Sequence, residues 1–179
     1  MCGGRGTRLA ADTEKPLFDV GGVPMVDRVL AALDDSDVAG VYAATSPNAP
    51  ATRAHIDCPC IETPGDGYVA DLDAALSDGR LDTPVLTVAA DLPLLDGEIL
   101  DRVIVAHEGG SLSVLVPAQR KRELGVSDDT VFERDGREMA PTGVNIVGDE
   151  GDDAWVTDDY RVAVNVNTLA DARIAEQLL

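Results

Sequence analysis

The stretch TPVLTVAADLPLL, Thr83 to Leu95, decides how the chain is expected to fold. Its first part is the most strand-like run of the sequence, and it ends at Asp91, followed at once by Leu-Pro. Asp91 is therefore placed at the carboxyl end of a strand. To either side, β-rich runs alternate with segments of helical period. Upstream, VPMVDRVLAAL (Val23 to Leu33) spaces its apolar residues as a helix does, and GVYAAT (Gly40 to Thr45) reads as a buried strand. SPNAPATRAHI offers a Ser/Asn start and a short helix, and YVADLDAALSDG an amphipathic helix stopped by Gly79. Downstream, Asp96 is the expected N-cap of LDGEILDRVIVAH, with Glu98 in the first turn. SLSVLVP is a further strand, TGVNIVG and RVAVNVN resume strand character, and TLADARIAEQLL closes as a helix capped by Thr168. The charged, irregular segment from Ala118 to Glu138 is expected to be an insertion or a mobile loop over a site. This alternation predicts an α/β fold: one domain over residues 1–179, a Rossmann-like three-layer sandwich with a mostly parallel central sheet and helices on both faces. In such a sheet ligands bind at the carboxyl ends of the strands, which makes Asp91 a candidate site residue.

Composition narrows the function classes. The 179 residues are 45% hydrophobic but only 3% aromatic, so the core must be built from Val, Leu, Ala and Ile. Asp and Glu number 33 against 14 Lys and Arg, a formal net charge of −19. That excess argues against sequence-nonspecific binding of nucleic acid, which needs a positive face. The acids are scattered through periodic apolar segments rather than gathered in a tail. Twelve basic residues are arginine and only Lys15 and Lys121 are lysine, a balance that predicts adaptation to a high-salt cytosol. No stretch is long or apolar enough to span a membrane and no signal peptide opens the sequence, so a cytoplasmic protein is expected. Cys2, Cys58 and Cys60 make no disulfide framework. His55 near Cys58 and Cys60 lacks a second pair to complete a zinc site, and small apolar residues at a strand entrance are the preferred reading.

The N-terminal CGGRGTRL is neither of the two common phosphate loops. No lysine follows at Walker A spacing, and a G-x-G-x-x-G reading fits Gly4 and Gly6 but meets Leu9 at the third position. What remains is a glycine-rich turn whose amides can approach phosphate oxygens, with Arg5 and Arg8 to neutralise charge; the competing reading is a frayed terminus with incidental glycines. Lys15, in EKPLF, could converge with Arg8 on one polyphosphate. Asp91 could hold a Mg2+ that bridges nucleotide phosphates, against the plain alternative of an Asp turning the chain before Pro93. Asn165 and Asn167 alternate along RVAVNVNT and so share a face; Asn165 could add a neutral oxygen to the same metal. ATSPNAP (Ala44 to Pro50) and TPGDGYVADLD (Thr63 to Asp73) look like ligand walls at strand ends.

Taken together, GGRGTR, EKPL, a strand-final DLP and NVNT before a last helix resemble the nucleotidyltransferases of the nucleotide-diphospho-sugar transferase fold. That MobA-like superfamily includes molybdenum-cofactor guanylyltransferases and sugar-nucleotide pyrophosphorylases. The segments YAATSPNAPATRAHI, ETPGDGYVADLD, APTGVNIV and VNVNTLADARIAEQLL are similar to archaeal GTP:adenosylcobinamide-phosphate guanylyltransferases of cobalamin synthesis. The likeness covers nearly the whole chain except Ala118 to Glu138. It implies that Gly3, Gly4, Gly6, Thr7, Arg8 and Lys15 hold the GTP phosphates. It further implies that Ser46 and Asn48, with Thr63, Gly65, Gly67 and Tyr68, help to hold guanine and ribose. Asp91 matches the metal aspartate, Asn165 the position of a second contact to Mg2+, and Gly143 a segment near the nucleotide or acceptor. In that fold a first β-strand precedes the glycine loop, whereas this sequence begins at the loop. The expectation is that the native protein carries several more N-terminal residues forming a central strand.

The reaction so implied is attack by the acceptor phosphate of adenosylcobinamide phosphate on the α-phosphorus of GTP, with release of pyrophosphate. The nucleophile is already anionic, so no general base is required, in keeping with the absence of an evident His or Cys nucleophile. Arg8, Lys15 and Asp91 are the expected catalytic residues. The rival readings are a related transferase acting on molybdopterin or a sugar phosphate, and a noncatalytic nucleotide-binding regulator. No nucleic-acid partner is expected, and a homodimer is compatible with the sequence.

Overall fold

In the computed structural model, Met1, Cys2, Leu9 and residues 13–179 are described. Lys15–Leu17 form a 3-10 turn, set by Pro16 near its start. Strands β1 (Asp19–Val20) and β2 (Val23–Pro24) pair antiparallel and deliver the chain into α1 (Met25–Asp34), which buries Met25, Val26, Val29 and Ala32 at helical spacing. Next come β3 (Ala43–Thr45), α2 (Pro50–His55) and β4 (Cys60–Glu62), with β3 and β4 parallel and in register from Ala43–Cys60 to Thr45–Glu62. They are followed by α3 (Tyr68–Leu76), β5 (Val85–Val88), α4 (Gly97–Ala106) and β6 (Leu112–Pro117). The second half comprises α5 (Ala118–Leu124), β7 (Phe132–Arg134), β8 (Arg137–Val147), β9 (Asp153–Val156), α6 (Tyr160–Ala163) and α7 (Leu169–Leu178).

The expected helix starts are present. The Asp96 carboxylate accepts from the Ile99 amide at 3.0 Å and caps α4. Thr168 caps α7 in a reciprocal capping box with Asp171. The largest core joins α1 and α4 to β6 and β8 through Val29, Ile99, Leu100, Val103, Val114, Val116, Val144 and Ile146. A second core packs α7 against the 164–166 segment and Leu94 through Val164, Val166, Ala172 and Ala175. Buried aliphatic residues carry both, as the aromatic-poor composition demands.

Three expectations are corrected. The five-stranded sheet runs β5-β8-β6-β9, with β7 on β8, and is mixed rather than mostly parallel. Its β5·β8, β6·β8 and β7·β8 pairs are antiparallel and β6·β9 is parallel. The two-residue turn at Asp135 and Gly136, both with positive φ (53° and 74°), folds β7 back on β8 as an antiparallel hairpin. Ala118 to Glu138 is therefore no unstructured insertion: it holds α5, ended by Gly125 in the left-handed region (φ 76°), and then the hairpin. RVAVNVN is not a strand either: Tyr160–Ala163 form α6, capped by Asp159, and the chain then runs without regular secondary structure to Thr168.

Among the described residues, β3–β4 and the five-stranded sheet are joined through Met1 and Cys2. Met1 N donates to Val88 O (2.9 Å), Ala90 N to Met1 O (3.2 Å), and Cys2 N to Ala44 O (2.9 Å). Beyond Met1 an apolar cleft of about 370 Å3 runs between the two sheets, walled by Val26 and Val29 of α1, Ala43 of β3, and Val85 and Leu86 of β5.

Candidate active site

Asp91 emerges just past β5, and its neighbours are pinned on both sides: Ala89 N donates to Gly143 O at 2.9 Å, and Ala90 N to Met1 O. The Asp91 backbone carbonyl accepts from Val166 N at 2.9 Å, which ties the 164–167 segment directly to it. Its carboxylate is divided between two partners. Oδ2 accepts from Lys15 Nζ at 2.5 Å, and Oδ1 from Asn165 Nδ2 at 3.1 Å. Lys15 Nζ also donates to Asn167 Oδ1 at 2.7 Å. Both charged side chains of the pair are only 17% exposed, so their attraction is little screened. Lys15 is held in place from behind by Glu14, whose carboxylate accepts from the amides of Ala51 and Thr52 and the Thr52 hydroxyl at the start of α2. Burial pushes the Glu14 carboxyl up, but those three donors outweigh it and leave its pKa below the ordinary value.

The two asparagines both reach the Lys15–Asp91 pair, from an irregular segment rather than a strand, and they are not equivalent. Thr142 O accepts from Asn165 Nδ2 at 2.8 Å and Lys121 Nζ donates to Asn165 Oδ1 at 3.0 Å, which fixes the amide orientation. Asn165 thus presents an N–H to Asp91 and has its oxygen on Lys121, so in this structure its oxygen does not face the Asp91 carboxylate. The oxygen that meets Asp91 Oδ2, at Lys15 Nζ, belongs to Asn167. One carboxylate oxygen and one amide oxygen are hard donors of the kind Mg2+ takes from protein while keeping waters and phosphates for its other positions. Among the described residues no cluster of three His, Cys, Asp or Glu is disposed to hold a metal alone.

The Thr142 carbonyl is free for Asn165 because β8 bulges there. Ser113 pairs with Asn145 while Leu115 pairs with Pro141, so β8 spends two more residues than β6 on the interval. The Thr142 hydroxyl fills the irregularity, donating to Val114 O and accepting from Val144 N. Gly143 has φ 86°, and a Cβ on it would stand 2.9 Å from Ala89 Cβ. Its place near the site is thus a backbone requirement.

Two clefts meet at Asp91. The larger, about 600 Å3, is lined by Lys15, Asn48, Gly65, Gly67, Tyr68 and Asp91. The smaller, about 290 Å3, is lined by Lys121, Asp128, Asp129, Asn145, Asn165 and Asn167. They share Tyr68, Ala89 and Asp91, and the Tyr68 hydroxyl stands 3.4 Å from Asn145 Nδ2. Asn48 Nδ2 donates to Gly65 O at 2.9 Å, and the buried Ser46 hydroxyl accepts from Asn48 N, so the SPN turn braces the TPGDGY loop. Gly65, at φ 80°, has Asn48 Nδ2 2.5 Å from where a Cβ would lie. Thr63 departs from expectation: its hydroxyl donates to Thr45 O and it is buried against β3, so it supports the loop rather than facing the cleft. Gly3, Gly4, Arg5, Gly6, Thr7 and Arg8 lie outside the described residues.

A model of the MobA-like NTP transferase domain matches residues 1–172. The chain belongs to that family. It is a nucleotidyltransferase. The adenosylcobinamide-phosphate guanylyltransferase of Methanocaldococcus jannaschii is 29% identical over 199 aligned positions, spanning 100% of this chain and 95% of that protein. The bifunctional protein GlmU of Maricaulis maris is 36% identical over 126 positions, 64% of this chain but 27% of that much longer protein. Among solved structures, a CMP:2-keto-3-deoxy-manno-octonic acid synthetase in complex with CTP superposes with a TM-score of 0.64 at 15% identity, covering 92% of this chain and 91% of that one, a likeness of fold.

Within the transferase, sequence reasoning did not single out Glu14, Lys121 or Asp171, and gave Asn167 no part beside Lys15 and Asp91. Lys121 carried a signal, as one of two lysines in a chain that otherwise uses arginine. Glu14 and Asp171 act through partners 37 and 44 residues away, which no local pattern shows.

Proposed function

We propose that this transferase moves GMP from GTP to adenosylcobinamide phosphate, giving adenosylcobinamide-GDP and pyrophosphate. The carrying observation is the Lys15–Asp91–Asn167 cluster at the junction of two clefts, one for the nucleotide and one for the acceptor. The full-length similarity to the M. jannaschii enzyme supports this choice of nucleotide and acceptor. An oxygen of the acceptor phosphate attacks the α-phosphorus, a new P–O bond forms, and the bond from the α-phosphorus to the bridging oxygen of pyrophosphate breaks. The nucleophile needs no deprotonation, so the protein's task is in-line placement and neutralisation of charge. Lys15 turns from Asp91 to the leaving phosphates, while Tyr68 and the Gly65–Gly67 turn wall the nucleotide cleft. Asp91 and Asn167 are the residues that would hold Mg2+, which when bound neutralises phosphate charge.

The test is pyrophosphate release from GTP and from ATP, each with and without adenosylcobinamide phosphate. Release from GTP that requires this acceptor supports the reading. Release driven by molybdopterin or a sugar phosphate moves the protein to another acceptor, and GTP binding without release under any acceptor makes it a regulator.

A further inference from the structure

The chain has two lysines: Lys15 pairs with Asp91, and Lys121 meets Asn165, which itself donates to Asp91. Lys15 meets Oδ2 from the cleft. Lys121, on α5 and 4% exposed, stands on the other side of the carboxylate, one amide away. Its ammonium donates to Ala163 O at 2.8 Å and to Asn165 Oδ1 at 3.0 Å, both neutral acceptors, and it makes no direct ion pair among the described residues. Burying an ammonium without a carboxylate partner is costly. A neutral donor could satisfy two carbonyl oxygens at lower cost, so a structural tie alone does not account for a lysine here.

We propose that Lys121 is a positioning residue for the metal-binding pair: through Asn165 it holds Asp91 so that Oδ2 is the oxygen offered to the cleft, and through Ala163 it holds the segment that brings Asn167 alongside. This rests on the reading of Asp91 and Asn167 as that pair. The chain of contacts is continuous. Lys121 fixes the Asn165 oxygen, the Asn165 N–H fixes Asp91 Oδ1, and the Val166 amide fixes the Asp91 backbone, leaving Asn167 the next residue in line. Burial holds the Lys121 pKa below its ordinary value, with Asp91 and Asp171 pulling the other way. When Lys15 turns to the phosphates, Lys121 remains as a fixed positive charge behind Asp91, in a cleft wall that also carries Asp128 and Asp129.

The experiment uses the full chain with Lys121→Met, Asn165→Ala and the double variant. It reads melting temperature, Mn2+ affinity of the GTP-bound protein by electron paramagnetic resonance, and kcat and KM for pyrophosphate release. Loss of an outer support for a metal ligand is expected to weaken Mn2+ binding about 10–100-fold and kcat by a similar factor, because such partners orient the ligand atoms. The KM for GTP stays within about threefold, since Lys121 does not line the nucleotide cleft. The double variant loses little more than either single one, as expected for residues acting in series. A folded Lys121→Met protein with unchanged Mn2+ affinity overturns the proposal, as does tighter Mn2+ binding, the result demanded if removal of a nearby positive charge were its whole effect. Should Lys121→Met fail to fold, Asn165→Ala alone decides: it cuts the link while leaving Lys121 on Ala163, and normal Mn2+ binding in it refutes the inference. Asp91→Asn separates the two levels. If it leaves Mn2+ binding intact, the metal reading itself falls; if it abolishes binding while the Lys121 and Asn165 variants bind normally, only the role of Lys121 falls.

Discussion

At the scale of single residues, Lys15 holds the point on which Asp91 Oδ2 and Asn167 Oδ1 converge, so it competes with any divalent cation for those two oxygens. Lys15→Met is therefore expected to have two effects of opposite sign. Pyrophosphate release falls by about 10²–10³-fold through loss of a charge on the leaving group. Mn2+ binding measured without nucleotide tightens by about tenfold or more, because a competing cation has gone. Release close to the wild-type rate would refute the catalytic assignment, and unaltered Mn2+ binding would refute the competition. Gly143 makes a different demand. Its left-handed φ and the 2.9 Å approach of Ala89 predict that Gly143→Ala destabilises the fold by about 1–3 kcal/mol, read as a lowered denaturant midpoint.

At the scale of elements, the start of α7 shows how one carboxylate joins separate parts of the site. Asp171 is 1% exposed and accepts from the Asn167 and Thr168 amides, the Thr168 hydroxyl, and both the amide and hydroxyl of Ser127. It thereby fixes the turn that carries Asn167 and the loop after α5 that lines the smaller cleft. Burial raises its pKa, but the bonds from Ser127 and Thr168 outweigh this and leave it below the ordinary value. With the folded value depressed, its stabilising contribution is fully present above the unfolded value of about 4 and is lost as pH falls through the folded one. Asp171→Asn should cost about 1–3 kcal/mol at neutral pH and flatten part of the acid limb of stability against pH, as followed by urea unfolding. Glu14, Asp159, Asp78 and Glu138, also depressed, contribute to what remains of that limb. An acid limb as steep as that of the parent would contradict this account.

At the scale of the whole molecule, a net charge of −19 predicts self-repulsion that salt relieves: raising KCl from about 0.1 M to about 2 M should raise the melting temperature, and no gain would count against adaptation to high salt. The cleft between the two sheets makes a second whole-molecule prediction. Met1 N donates to Val88 O of β5, Met1 O accepts from Ala90 N just past it, and Cys2 N donates to Ala44 O of β3, so an apolar extension of about six residues joined ahead of Met1 is expected to continue as a strand into the cleft. Such an extension should raise the melting temperature by several degrees; an unchanged one would show that the cleft takes no strand. Much of this architecture was legible locally. The β5 run with Asp91 just past its end and the caps Asp96 and Thr168 follow from periodicity and capping chemistry, which act over a few residues. The reverse course of β8 was not legible, because it is set by pairing with β5 and β6, strands far away in the sequence. Nor was the α5 lysine beneath the site. The sequence by itself determined the α/β class, the donor types available and the end of the sheet at which they gather. Only the tertiary structure decided which asparagine offers its oxygen, because the amide of Asn165 is turned by Lys121 and Thr142, residues 44 and 23 positions away that meet it only once the sheet is assembled.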